Sequence, residues 1–338
     1  MKDFSVVLAK YGEPRKVLSY GTAGFRDNFD LPLDYVFVRM GILAVLRKAS
    51  LNGQCVGAVI TASHNPECDN GIKLVDCDGG MLSRNWEPLA VELASSTVAD
   101  FEDTVAKLVE KYYLDETFYD MGVVLIGRDT RPHSNKFHKC MEEGVQLMGG
   151  RCADLGEVTT PMLHYAVRDM NQSLKANTED KPFDATYWTD RYFHTVSTGY
   201  QALVQTSAVP VDTHVVVDSA FGVGSIALSN FITYYNRLCV SGTHGALPKL
   251  TIDIRNPART GTVNDNCGAE HAQKLQLPPI GVDAEGDVGK LLCSFDGDGD
   301  RIVFHAFLPT AAGTVRTIQS IAVSVIENAV DDVVIPLR

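Results

Sequence analysis

At 338 residues the chain is long enough for two or three domains, and 45% hydrophobic against 21% charged residues predicts packed globular cores. The formal net charge of −12 argues against nonspecific binding to nucleic acid or anionic membranes, which needs excess Lys and Arg, but allows an anionic small substrate in a local basic pocket. The opening MKDFSVVLAKYGEPRK lacks the long apolar run of a secretory signal, no run approaches a membrane span, and none of the eight cysteines stands in a CxxC pair, so a cytoplasmic location with reduced thiols is expected.

Short apolar runs alternate with helix-like segments, which predicts an α/β fold. Strands are expected at Val17–Gly21, Val56–Thr61, Ile72–Val75, Val123–Gly127, His214–Asp218, Leu250–Ile254 and Ile302–Ala306. Helices are expected at Val36–Ala49, Trp86–Ala94 and Ser134–Met148, the last with Ser134 as N-cap and Gly149-Gly150 as its stop, and a helix-like run covers Trp188 to Val204. The polar stretch Asn171–Asp184 reads as a loop or linker. Boundaries are placed at 200 and 297, giving units 1–200, 201–297 and 298–338, the last too short to fold alone.

Gly21-Thr22-Ala23-Gly24-Phe25-Arg26 is a glycine-containing loop ending in Arg26. Such a loop suits phosphate, through backbone N–H groups and a guanidinium, but equally suits a surface turn. The next motif is Thr61-Ala62-Ser63-His64-Asn65-Pro66, followed by Asn70-Gly71-Ile72-Lys73. A strongly apolar strand delivers Ser63 into a loop, and Pro66 prevents the strand from continuing. Asn70-Gly71 is a hairpin signal that returns Lys73 towards Ser63. A serine hydroxyl needs a base or a metal to react, whereas a phosphoserine is a phosphoryl donor. The plain alternative is a turn in which Ser63 and Asn65 bond the backbone. A hydrolase serine is disfavoured, because no GxSxG surrounds Ser63 and the adjacent His64 is badly placed as a base. Gly127-Arg128-Asp129-Thr130-Arg131-Pro132 is a second basic loop, open to the same two readings as the first.

Asp296-Gly297-Asp298-Gly299-Asp300-Arg301 follows the apolar run Leu291–Phe295. The two glycines let the backbone curl until three carboxylates converge, and converging carboxylates repel unless a hard cation, Mg²⁺ or Ca²⁺, joins them. An EF-hand counted from Asp296 fails twice, since its glycine position holds Arg301 and its glutamate position holds Phe307. Three carboxylates alone leave the ion short of ligands, which suits an ion that also binds phosphate, with Arg301 as a neighbour of that phosphate.

Together these segments resemble the α-D-phosphohexomutase superfamily and, within it, the acetylglucosamine branch. The resemblance rests on YGTAGFR at 20–26, ITASHNP at 60–66, NGIKLVD at 70–76, GRDTRP at 127–132, TTPMLHY at 159–165, CGAE at 267–270 and SFDGDGDRIV at 294–303. It implies a multi-domain α/β fold, with mixed sheets flanked by helices, containing phosphohexomutase-like domains 1 and 2 plus a fragment of domain 3. It implies that Ser63 is the phosphoserine and that Ser63, Asp296, Asp298 and Asp300 hold Mg²⁺. Lys73, His64 and Arg26 match positions near the reacting phosphoryl, Lys73 being a candidate base if its pKa is lowered, and Arg301, Arg128 and Arg131 are candidate phosphate-binding residues. The implied reaction interconverts N-acetylglucosamine 6-phosphate and 1-phosphate through a sugar bisphosphate, in UDP-N-acetylglucosamine biosynthesis, with no nucleic-acid or membrane partner. Neither a Glu-x-(Ser/Asn)-Gly-His sugar loop nor an Arg-Pro-Ser-Gly-Thr phosphate loop is found, so a chain truncated after the metal loop is expected. An inactive metal-binding relative and a glucose or mannose phosphomutase are the alternatives.

Overall fold

Two five-stranded mixed sheets with helices packed on them carry the fold in this computed structural model. The structure describes residues 2–21, 24–28, 33–175, 185–206, 214–240, 250–283, 286–309 and 315–324. The first sheet contains β1 (Phe25–Asn28), β2 (Val56–Ile60), β3 (Asp69–Val75), β4 (Val124–Arg128) and β5 (Cys152–Glu157), in the order β1-β3-β2-β4-β5. The second contains β6 (His214–Asp218), β7 (Thr251–Arg255), β8 (Leu291–Phe295), β9 (Arg301–Pro309) and β10 (Val315–Ser324), in the order β10-β9-β8-β6-β7. Both sheets share one pairing pattern: two antiparallel steps from one edge, then two parallel steps. In each, a central strand turns back into an antiparallel neighbour, β2 into β3 and β8 into β9. The Ser63 loop forms the first turn and the acidic loop forms the second.

The helices are α1 (Ser5–Tyr11), α2 (Asp34–Ser50), α3 (Glu87–Ser95), α4 (Phe101–Lys111), α5 (Ser134–Leu147), α6 (Thr160–Lys175), α7 (Ala185–Thr206) and α8 (Gly224–Val240). Every residue of β2 is buried, as a central strand with both faces covered requires. One face packs on α2 and α5 in the larger core, which includes Met40, Leu43, Phe137 and Met141. The other supports Leu163 and Val167 of α6 and Phe193 of α7, against which Phe231 and Tyr234 of α8 pack. That second core ties the two sheets together through α7 and α8.

The mixed sheets flanked by helices agree with the fold expected from sequence. Several local expectations change. No strand forms over 17–21, where a single bridge joins Gly21 to Gly24. Asn70-Gly71 lies inside β3 instead of forming the hairpin turn. A Cβ on Gly71 would sit 2.1 Å from the Phe25 carbonyl oxygen, so its bareness admits the neighbouring strand β1. Ser134 does not cap α5. The cap position is His133, while the Ser134 hydroxyl donates to Asp129 at 2.9 Å. The expected loop over 171–184 is helical through Lys175, as the end of α6, and the remainder lies outside the described residues. Position 200 falls within α7, and position 297 falls between β8 and β9 of one sheet. No helix among the described residues is long and apolar enough to cross a membrane.

Helices α2 and α5 cross with their backbones in near contact. A Cβ on Gly144 would meet the Val38 carbonyl oxygen at 2.0 Å, and one on Gly41 would meet the Met141 carbonyl oxygen at 2.2 Å. Neither obstacle is a side chain that can rotate away, so the helices would have to separate. Gly144→Ala is therefore expected to destabilise the protein by roughly 1–3 kcal/mol, the usual cost of overpacking, despite its better helix propensity. Urea unfolding measures this, and an unchanged midpoint would contradict the close crossing.

Candidate active site

The β2–β3 turn brings Ser63 against the β8–β9 turn. The Ser63 hydroxyl donates to Asp296 Oδ2 at 2.8 Å, although 233 residues separate the two, and both side chains are buried. Ser63 has a φ of +53°, in the left-handed region that a serine adopts only when its neighbours hold it there. Its amide donates to Thr61 Oγ1 at 2.8 Å, and Thr61 in turn donates to Asp129 at 2.8 Å.

Asp296, Asp298 and Asp300 place a carboxylate oxygen each within 4.8 Å of one another. Asp296 Oδ1 accepts the backbone N–H groups of Asp300 and Arg301 at 3.2 and 3.1 Å. Thr160, the first residue of α6, donates its hydroxyl to Asp298 at 2.6 Å and its amide to the Asp298 carbonyl at 3.0 Å. Lys73 comes back towards Ser63 as expected, though inside β3 and not after a turn at Asn70-Gly71, and donates to Asp298 at 2.9 Å and Asp300 at 2.7 Å. Burial, then the charges of Asp298 and Asp300, push the Asp296 carboxyl well above the usual carboxylate range. Burial would also raise Asp298, but Lys73 and the Thr160 hydroxyl outweigh it and hold that carboxyl down to about 2. Burial would lower Lys73, but Asp298 and Asp300 outweigh it and hold the ammonium above its ordinary value. In this arrangement Lys73 is a counter-charge and not the depressed lysine that a base requires.

The donor set fits a hard divalent cation. Oδ1 of Asp298 and Oδ1 of Asp300 are buried without a hydrogen-bond partner, and one lysine leaves the three carboxylates under-neutralised. The structure brings together the four residues expected from sequence around the ion, the triplet and the Ser63 oxygen beside it.

The basic candidates divide. Arg26 donates to Asn65 Oδ1 at 3.1 Å, beside the serine loop. Burial and then the nearby Arg301 guanidinium lower the Arg26 pKa, so two half-buried arginines, the mouth of the site, stand close together beside the serine loop and the triplet. Arg301 stands 3.9 Å from Asp296 and 4.0 Å from Asp300. Arg128 instead pairs with Asp154 on β5 at 2.6 Å. Arg131 is buried, and all five of its N–H groups are engaged by the protein, which leaves none for a phosphate. His64 faces Glu270 at 3.0 Å with its Nε2, and its Nδ1 is buried without a partner. Thr160, Asn264 and Glu270 belong to the site without having been singled out as site residues from the sequence. The TTPMLHY and CGAE segments carry Thr160 and Glu270, but nothing in their local pattern announces a contact with Asp298 or His64.

Burial, then the Arg301 charge, pushes the His64 pKa down to about 4. Its folded value lies below its unfolded one, so its contribution to stability is complete above about pH 6.5 and is lost as pH falls through about 4. A proton NMR titration should find the His64 ring neutral from pH 5 to pH 8, and a midpoint near 6.5 would contradict the geometry.

The sequence and the fold are both similar to those of known proteins. A family model for the phosphoglucomutase/phosphomannomutase alpha/beta/alpha domain I matches residues 42–98 and 90–177. The chain is 37% identical over 292 residues to the phosphoacetylglucosamine mutase of Sus scrofa, covering 86% of this chain and 49% of that protein. A solved Aspergillus fumigatus N-acetylphosphoglucosamine mutase, a serine-to-alanine variant in complex with glucose 1,6-bisphosphate, superposes with a TM-score of 0.78 at 30% identity, over 93% of this chain and 54% of that one. Another structure of the Aspergillus fumigatus enzyme, in complex with GlcNAc-6P and magnesium, gives a TM-score of 0.74 at 31% identity, over 92% of this chain and 54% of that one. The chain thus spans about half the length of the relatives it matches.

Proposed function

The chain belongs with the phosphoacetylglucosamine mutases of the phosphohexomutase superfamily, and on that premise we propose that it carries the phosphoryl-transfer centre of an N-acetylglucosamine-phosphate mutase. The observation that supports this reading most strongly is the buried Ser63 hydroxyl lying 2.8 Å from the first carboxylate of the acidic triplet. A serine phosphate in that place is a donor beside a cation site.

Phosphoserine 63 gives its phosphoryl group to a hydroxyl of the bound sugar phosphate. The P–Oγ bond breaks, the P–O bond to the sugar forms, and a bisphosphate results. The sugar's other phosphate then returns to Ser63 Oγ, leaving the isomeric monophosphate and the original phosphoserine. In each transfer the attacking hydroxyl gives up its proton as its P–O bond forms and the departing oxygen takes one up, so that it leaves as a hydroxyl, and a loose transition state allows the attacking oxygen to keep its proton until late. Asp296, Asp298 and Asp300 would hold Mg²⁺, which when bound neutralises charge on the phosphoryl oxygens. Lys73 supplies positive charge from the β3 side, while Arg26 and Arg301 stand at the mouth, where the incoming phosphate approaches. Neutral His64 adds no charge of its own there. The ligands are then a phosphorylated amino sugar and its bisphosphate, with neither nucleic acid nor membrane as partner, and the location is cytoplasmic.

Intact mass of the purified chain should show one added phosphate, absent from Ser63→Ala. Asp298→Asn should weaken Mg²⁺ binding at least about tenfold by calorimetry, because it removes one of three charged ligands. Isomerisation assays with the 6-phosphates of N-acetylglucosamine, glucose and mannose, primed by a bisphosphate, read sugar preference. A chain that never carries phosphate on Ser63 contradicts the reading. Phosphate on Ser63 and Mg²⁺ binding without turnover of any sugar would favour a metal-binding relative that does not catalyse.

A further inference from the structure

Two side chains grip the same pair of carbonyl oxygens on the serine loop. Arg131 Nη2 donates to the Ser63 carbonyl at 3.0 Å and to the Asn65 carbonyl at 2.9 Å. Asn264 Nδ2, from the loop after β7, donates to the same two oxygens at 2.8 and 2.9 Å. The remaining donors of Arg131 reach Asp129 Oδ2, the Pro66 carbonyl and the Asp69 carbonyl, so the loop is laced to the arginine along its length. Asn264 is itself anchored, since its amide donates to the Ala220 carbonyl at 3.0 Å. The amide of the preceding residue, Val263, donates to Glu67 of the serine loop at 3.2 Å. The acidic loop closes the third side. A Cβ on Gly297 would lie 2.8 Å from the Ser63 carbonyl and 3.0 Å from Asn264 Nδ2.

We propose that Arg131 and Asn264 are positioning residues: a two-sided clamp, one jaw from each sheet, that fixes the Ser63 and Asn65 carbonyls and so aims Ser63 Oγ at the acidic triplet. The inference rests on the phosphoserine reading above. Neither residue touches the reacting atoms. Their contribution is geometric, because Ser63 sits at a disfavoured positive φ and relaxes away from it unless its carbonyl is held. A phosphoryl group on Oγ meets the Asp296 carboxylate as a like charge, which adds to the tendency to swing out. Asn264 is the more telling jaw, because it belongs to the second sheet's loops and makes the aim of Ser63 depend on how the two sheets are docked.

The test is Asn264→Asp, which keeps shape and turns two donors into lone pairs facing carbonyl oxygens. The probe is glucose 1,6-bisphosphate with Mg²⁺, and the readout is the rate at which Ser63 gains phosphate by intact mass. As phosphate reaches Ser63 Oγ, the serine proton ends on the released sugar hydroxyl. The variant should be slower by roughly 100-fold, the scale of a small misplacement, while it remains folded by circular dichroism, with partial rescue by Asn264→Gln. An equal rate in variant and parent overturns the clamp. A parent that takes no phosphate counts against the phosphoserine reading instead. The clamp is then read by hydrogen exchange at the amides of 63–65, expected to be at least tenfold faster in Asn264→Ala, and unchanged exchange overturns it.

Discussion

A single contact, the Ser63 hydroxyl on Asp296, organises everything else in the molecule. It joins the turn of one sheet to the turn of the other, and it can exist only if the two sheets dock with these turns facing each other. The shared pairing pattern explains how this is arranged. In each sheet a strand at the parallel centre runs out into a loop and returns antiparallel, so both loops sit beyond the carboxyl ends of central strands, where α/β folds place ligands. The aromatic packing of α7 on α8 and the Thr160 bonds to Asp298 fix the docking at a distance from the serine and beside it.

Charge is the second constraint. Two of the three carboxylates are wholly buried, which is costly unless something positive shares the space. Lys73 hydrogen-bonds Asp298 and Asp300 but reaches Asp296 only by its charge, and the two buried acids accordingly shift in opposite directions. A site that is stable only when a proton, a lysine or a cation answers its acids is suited to a dianion's arrival and departure. The half-buried arginines at the mouth extend that logic outward and leave the interior to the acids.

The centre of this site was legible in the sequence because its chemistry is local. Ser63 lies between an apolar strand and a proline, and the triplet is contiguous, so each announces itself over six residues or fewer. The strands that carry them were legible for the same reason. Arg131 was singled out but given a phosphate, because a glycine-arginine loop after a strand looks the same whether its donors face solvent or a neighbouring loop. Thr160 and Asn264 were not legible as site residues, since their partners lie 138 and 201 residues away. Strand β1 escaped notice because its FRDN carries one buried position and pairs only at an edge, and Asn70-Gly71 misled because the glycine serves a close backbone approach and not a turn.

In the function proposed above, phosphorylated Ser63 and the acidic triplet share one divalent cation. Phosphorus NMR of the chain phosphorylated at Ser63, titrated with Mn²⁺ as a paramagnetic substitute, tests it most directly. Substoichiometric Mn²⁺ should broaden the phosphoserine resonance severely, and Asp298→Asn should restore a sharp line. A resonance that stays sharp while Mn²⁺ is bound elsewhere on the protein would contradict it.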